Sequence, residues 1–150
     1  MFLCIIFFFT NLSIIACKPA FTFLPSLSFL LIKIPEAIFL IVTKDNPDWI
    51  WNKARDRNIR SQSIRVTSAT RAEMPIFIYI SDWSIFFIRP VFSKAASAPT
   101  KLAEISAIGK PVICNSGIGD IDRIFEEHYL GICINDFTES EYDNTITLML

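Results

Sequence analysis

Ser97-Ala98-Pro99-Thr100-Lys101-Leu102-Ala103-Glu104-Ile105-Ser106-Ala107-Ile108-Gly109-Lys110-Pro111-Val112-Ile113-Cys114-Asn115 reads as one helix running directly into one strand. Proline at the first helical position and glycine just past the last are the asymmetry expected of helix ends, so Pro99 to Ile108 is predicted helical with Gly109 as its stop. Pro111 to Cys114 is then a short apolar strand. Working outward, the same unit repeats. Toward the C-terminus come a helix over Ile118 to Tyr129, a strand over Gly131 to Asn135 and a last helix from Glu139.

Toward the N-terminus the pattern holds as far as Pro35. Ala37 to Thr43 is a continuous apolar run of the kind found in strands covered on both faces. It ends in Lys44-Asp45-Asn46-Pro47, a turn suited to starting a helix, and Trp49 to about Arg57 is that helix. Ser63 to Ser68 is a weaker strand, Glu73 to Ser81 a helical turn, and Trp83 to Ile88 a strand stopped by Arg89-Pro90. Strands of four to seven residues alternating with helices predict an α/β fold, a Rossmann-like parallel sheet with helices on both faces. At 150 residues the chain has room for one such domain and not for two.

The first 34 residues are a different material. No charged side chain occurs before Lys18, and Phe2 to Phe9 is unbroken apolar sequence. Three readings stand side by side. The segment is the truncated edge of a longer gene, or a signal or anchor, or a native core strand. A signal needs a basic start that only the terminal amine supplies here, although Ile14-Ile15-Ala16-Cys17 resembles a lipoprotein cleavage box. A membrane-spanning helix needs roughly 20 apolar residues, and Asn11, Ser13, Lys18, Pro19 and Pro25 interrupt the run. The expected organisation is therefore 1–34 as an apolar N-terminal segment and 35–150 as the Rossmann-like domain.

In a parallel sheet, ligands bind outside the carboxyl ends of the strands, which directs attention to the loops after the later strands. Phe92 to Glu104 places a small-residue loop in front of a helix N-terminus, where exposed N–H groups and the helix dipole favour a phosphate. Ala95, Ala96, Ser97 and Ala98 let an anion approach the backbone. Lys94 and Lys101 supply charge, and Ser97 and Thr100 supply hydroxyls. Glu104 stands one turn after Thr100 on the same helix face, where a carboxylate can accept hydrogen bonds from sugar hydroxyls. Each residue also has a plainer reading, Lys101 and Glu104 as a solvated i,i+3 pair among them.

Ser97 to Asn115 resembles the donor-site motif of family 4-type glycosyltransferases, a Pro-x-Lys-Leu-x-Glu helix followed by Gly-Lys-Pro-Val-Ile. The likeness continues through Ser116-Gly117-Ile118-Gly119-Asp120 and Gly131, and upstream through Arg71-Ala72-Glu73-Met74-Pro75 and the Asp82 strand. It runs from Pro35 to the C-terminus. It implies a GT-B fold, two Rossmann-like halves with the active site between them, of which this chain is the C-terminal, nucleotide-sugar-binding half. By the family pattern Glu104 holds the ribose hydroxyls and Ser97 to Lys101 meet the diphosphate. Lys94 is a charge partner, and Gly117 and Gly119 form a second backbone-rich loop near the donor. The implied partner is a nucleotide-diphosphate sugar, with no cofactor and no metal, and with the acceptor half supplied by a separate chain. Two departures stand out. Ala96 occupies the position where many members carry a second Glu against the transferred sugar, and the Gly-containing first strand is not recognisable in Cys17 to Lys33.

Other chemistries find little support. A net charge of −1 gives no sign of a nucleic-acid surface and suits a cytoplasmic domain; the family resemblance adds work at the inner membrane face. Cys4, Cys17, Cys114 and Cys133 lack zinc-site spacing. His128, the single histidine, sits near a helix end where a cation is favoured, and Asp120 and Asp122 sit in a first turn that favours acids. Rival readings of the whole chain are a non-catalytic remnant and an exported protein lipid-anchored at Cys17.

Overall fold

The structure is a computed structural model that describes residues 4–8, 28, 30–44, 46–88 and 100–150. Six strands form one parallel sheet: β1 (Cys4–Phe8), β2 (Ile38–Val42), β3 (Ile64–Thr67), β4 (Trp83–Ile85), β5 (Val112–Asn115) and β6 (Gly131–Ile134). Their spatial order is β3-β2-β1-β4-β5-β6, the doubly wound order of Rossmann folds. Helices among the described residues include α1 (Asp48–Asp56), α2 (Met74–Ile80), α3 (Thr100–Ala107), α4 (Ile121–Glu127) and α5 (Glu139–Met149).

Alternation along each strand divides the core into two layers. In β2, Phe39 and Ile41 join Ile50 and Ala54 of α1 and Tyr142 and Ile146 of α5 on one face. Leu40 and Val42 point the other way, toward Ile78 of α2, Leu102 and Ile105 of α3 and Ile121 of α4. Because both faces are covered, apolar residues occupy both phases of the strand. This is the physical origin of the continuous apolar run in the sequence.

The N-terminal run takes the core-strand reading where it is described. Cys4–Phe8 pairs with β2 from Cys4↔Ile38 to Phe8↔Val42, and with β4 from Ile5↔Trp83 to Phe7↔Ile85. Ile5 is fully buried. Asp82 fixes the start of the strand: its Oδ2 accepts the Cys4 N–H at 2.7 Å, and its own N–H donates to the Cys4 carbonyl at 2.7 Å. The boundary expected at residue 34 therefore does not divide the sheet, since β1 lies at its centre. The cleavage-box residues Ile14 to Cys17 lie outside the described residues.

Two elements are shorter than expected, each for a local reason. The helix predicted from Ile118 begins at Ile121 because Gly117 and Gly119 have φ of +77° and +51°, which no right-handed helix accepts. The strand predicted to Ile88 stops at Ile85. Beyond it, the Ile88 N–H is taken by a side chain, the Oδ1 of Asn115, at 2.8 Å.

Candidate functional site

α3 begins at Thr100, on the side of the sheet where the strands end. Its residues Thr100, Lys101 and Glu104 line a cleft of about 690 Å³. Opposite them stand Lys44, two residues past the end of β2, and Ala69 and Arg71, from the loop after β3. Met74, Pro75 and Ile78 of α2 give the cleft an apolar wall. Sequence separation hides this grouping, because the strands must first assemble in the order β3-β2-β1-β4 before Lys44, Arg71 and Lys101 share one space. The cleft thus combines three cationic side chains, one carboxylate and an apolar wall, a set that suits an anionic ligand with a flat apolar part.

The loop that carries Arg71 is held by a reciprocal cap. Thr70 donates its backbone N–H and its hydroxyl to Glu73 Oε2, both at 2.8 Å, and Glu73 returns its N–H to Thr70 Oγ1 at 3.3 Å. This is the capping-box arrangement, satisfying donors that a helix start would otherwise leave open. The backbone N–H of Thr70, and then its hydroxyl, hold the Glu73 carboxyl below the usual carboxylate range.

Within the cleft, Lys101 Nζ lies 2.9 Å from Glu104 Oε2. The pair is partly buried, with 22% and 34% of the two side chains accessible. Glu104 therefore faces the cleft already engaged, and a ligand hydroxyl must share or replace that contact. Both the solvated-pair reading and the ligand reading of these residues thus have a geometric basis.

The remaining candidates lie elsewhere. Gly117 and Gly119 sit in the turn between β5 and α4, and neither lines the cleft. The Gly117 N–H donates to Asp122 Oδ2 at 3.1 Å. That contact gives Asp122 a structural task in the helix's first turn, as its position suggested. Lys94 and Ser97 lie outside the described residues. Among the described residues no group of three or more His, Cys, Asp or Glu side chains is placed to hold a metal. His128 follows α4 directly and donates its backbone N–H to the Ile124 carbonyl at 2.9 Å.

Reading the sequence did not single out Lys44, Arg71 or Asn115 as site residues. Lys44 is signalled by its position directly after an apolar strand, where parallel sheets put their ligands. Asn115 is buried; besides holding Ile88 through Oδ1, it donates Nδ2 to the Ser116 carbonyl at 3.0 Å. It joins the segment after β4 to the end of β5.

No protein-family model matches the chain, and no curated protein matches it. Solved structures do. WaaG, a glycosyltransferase involved in lipopolysaccharide biosynthesis, superposes with a TM-score of 0.71 at 16% identity over 97% of this chain and 38% of its own. S. aureus TarM, solved in complex with UDP among other molecules, gives 0.71 at 13% identity over 97% of this chain and 28% of its own. The C-terminal domain of a group 1 family glycosyl transferase, LpcC of Francisella tularensis, gives 0.63 at 15% identity, covering 97% of this chain and 73% of that domain. The chain spans well under half the length of WaaG and TarM. At these identities the likeness is one of fold: a Rossmann-like α/β sheet matching domains of GT-B glycosyltransferases.

Proposed function

We propose that this chain is the donor-binding half of a glycosyltransferase, taking a nucleotide-diphosphate sugar and passing the sugar to an acceptor held by a separate half. The observation that carries the reading is the cleft at the strand ends, where Thr100, Lys101 and Glu104 face Lys44 and Arg71. The resemblance of Ser97 to Asn115 to the family 4-type donor motif supports it, as does the fold shared with GT-B glycosyltransferases. In this reading Glu104 accepts the ribose hydroxyls, exchanging part of its contact with Lys101. The N-terminus of α3, with Thr100, Lys94 and Ser97, holds the diphosphate. Gly117 and Gly119 form the neighbouring backbone-rich loop near the donor, with the Gly117 N–H held by Asp122 Oδ2.

Transfer breaks the bond between the sugar's anomeric carbon and the diphosphate oxygen, so negative charge grows on the leaving group. Cations and N–H groups fixed beforehand around that oxygen stabilise the transition state more than the ground state. Work in the cytoplasm at the inner membrane face belongs to this proposal through the family resemblance. Among the described residues no helix is long and apolar enough to cross a membrane.

The test is calorimetric titration of the full chain with UDP and GDP, with Glu104→Ala alongside. The full chain is required, because a version limited to residues 35–150 would lack the central strand β1. Saturable binding that the substitution abolishes supports a donor site. No binding to either nucleotide, by a chain that circular dichroism shows to be folded, sinks the proposal in favour of a non-catalytic remnant.

A further inference from the structure

Cys114 of β5 and Cys133 of β6 are register partners on neighbouring parallel strands. Register partners project from the same face of a sheet. The strand spacing of about 4.8 Å lies inside the Cα separation of about 4.4–6.8 Å that disulfides bridge. Both side chains belong to the core layer under α2, α3 and α4, and both are free thiols. They differ in access. Cys114 is fully buried, whereas Cys133 lies on the edge strand and is partly exposed.

Cys133 Sγ donates to Asp122 Oδ1 at 3.8 Å, a carboxylate that works against the Cys133 thiolate. A hydrogen bond from Cys114 favours the thiolate of Cys133. The same bond, followed by burial, pushes the Cys114 thiol up. Burial keeps an incoming disulfide from Cys114, so the partly exposed Cys133 sulfur meets it first, and its buried register partner is placed to follow.

We propose that Cys114 and Cys133 form a thiol–disulfide exchange site that accepts small-molecule disulfides. Cys133 thiolate attacks one sulfur of the incoming disulfide, forming a mixed disulfide and releasing the first small thiolate. Cys114 sulfur then attacks Cys133 sulfur, forming the Cys114–Cys133 bond and releasing the second. The external disulfide is reduced to two thiols, which carry away the two protons, and the cysteine pair is oxidised.

The test is incubation of the folded full chain with glutathione disulfide, then unfolding, alkylation and peptide mapping. The chain has four cysteines, and the expected result is a fall from four alkylated thiols to two. Trypsin cuts at Arg123, between the pair, so the disulfide appears as peptide 102–123 joined to 124–150 before reduction and as two separate peptides after it. Cys114→Ser is expected to stop at glutathione on Cys133, and Cys133→Ser to leave Cys114 alkylated. Glutathione retained on wild-type Cys133 without joined peptides overturns the proposal. So does a disulfide through Cys4 or Cys17 instead, full alkylation of both partners, or joined peptides formed only in denaturant. If a serine variant does not fold, the wild-type peptide map decides alone.

Discussion

Gly131 opens β6 opposite Val112, with φ of +143°. A Cβ built there falls 2.6 Å from the Val112 nitrogen and 2.9 Å from its carbonyl carbon, and closer still to its carbonyl oxygen. All three atoms are backbone of β5, so no rotamer change relieves the contact. For Gly131→Ala, β6 must retreat from β5, which stretches the bond from the Val112 N–H to the Leu130 carbonyl, now 2.9 Å. Losing that bond costs about 1 kcal/mol. A residue forced into a sparsely populated φ costs about 1–3 kcal/mol, and overpacking costs a similar amount. These terms overlap, and the expected loss is about 3–5 kcal/mol. That is a large part of the roughly 5–15 kcal/mol that holds a domain folded. Gly109→Ala is the control. Gly109 also has positive φ, +74°, but nothing lies within 4 Å of its Cβ position, so only conformational strain of about 1 kcal/mol is expected. Urea denaturation of both variants, followed by circular dichroism, measures the difference. If Gly131→Ala loses no more stability than Gly109→Ala, the close approach of β5 and β6 is wrong.

Asn115→Leu removes the buried acceptor of the Ile88 N–H; the expected cost is about 1–3 kcal/mol. Amide exchange at Ile88 is expected to accelerate more than exchange within β5, and equal acceleration would contradict a specific tie between the two loops. Glu73 predicts a pH dependence. Its folded carboxyl ionises below its ordinary value, so its contribution to stability is present above the unfolded pKa and lost as pH falls through the folded one. Thr70→Ala removes the hydroxyl contact and leaves the backbone one. The Glu73 titration midpoint, followed by NMR, is expected to rise part of the way to the ordinary value, and an unmoved midpoint would remove the hydroxyl from the explanation.

Much of the fold was legible because its signals are local. Pro and Gly bracket the α3 region, and apolar runs mark β2 and β5. β1 was ambiguous for a physical reason: a strand buried on both faces shows no alternation, so Phe2 to Phe9 carries the same pattern as the apolar part of a signal. Only pairing with β2 and β4, supplied by residues far along the chain, distinguishes them. The site divides in the same way. Thr100, Lys101 and Glu104 share a helix, and their spacing alone groups them. Lys44 and Arg71 reach the cleft through the order of strands, which no local pattern encodes. The tie from Asn115 to Ile88 crosses between loops and was invisible for that reason.

The central place of β1 also has a consequence for how the chain comes off the ribosome. β1 leaves the ribosome before the strands it pairs with, and its contact with Asp82 spans 78 residues of chain, so one side of the strand stays open until those residues follow. Non-local pairing of this kind slows folding, and an unpaired apolar strand is a site for aggregation while it waits. Arrival of β4 closes the sheet and covers that open side.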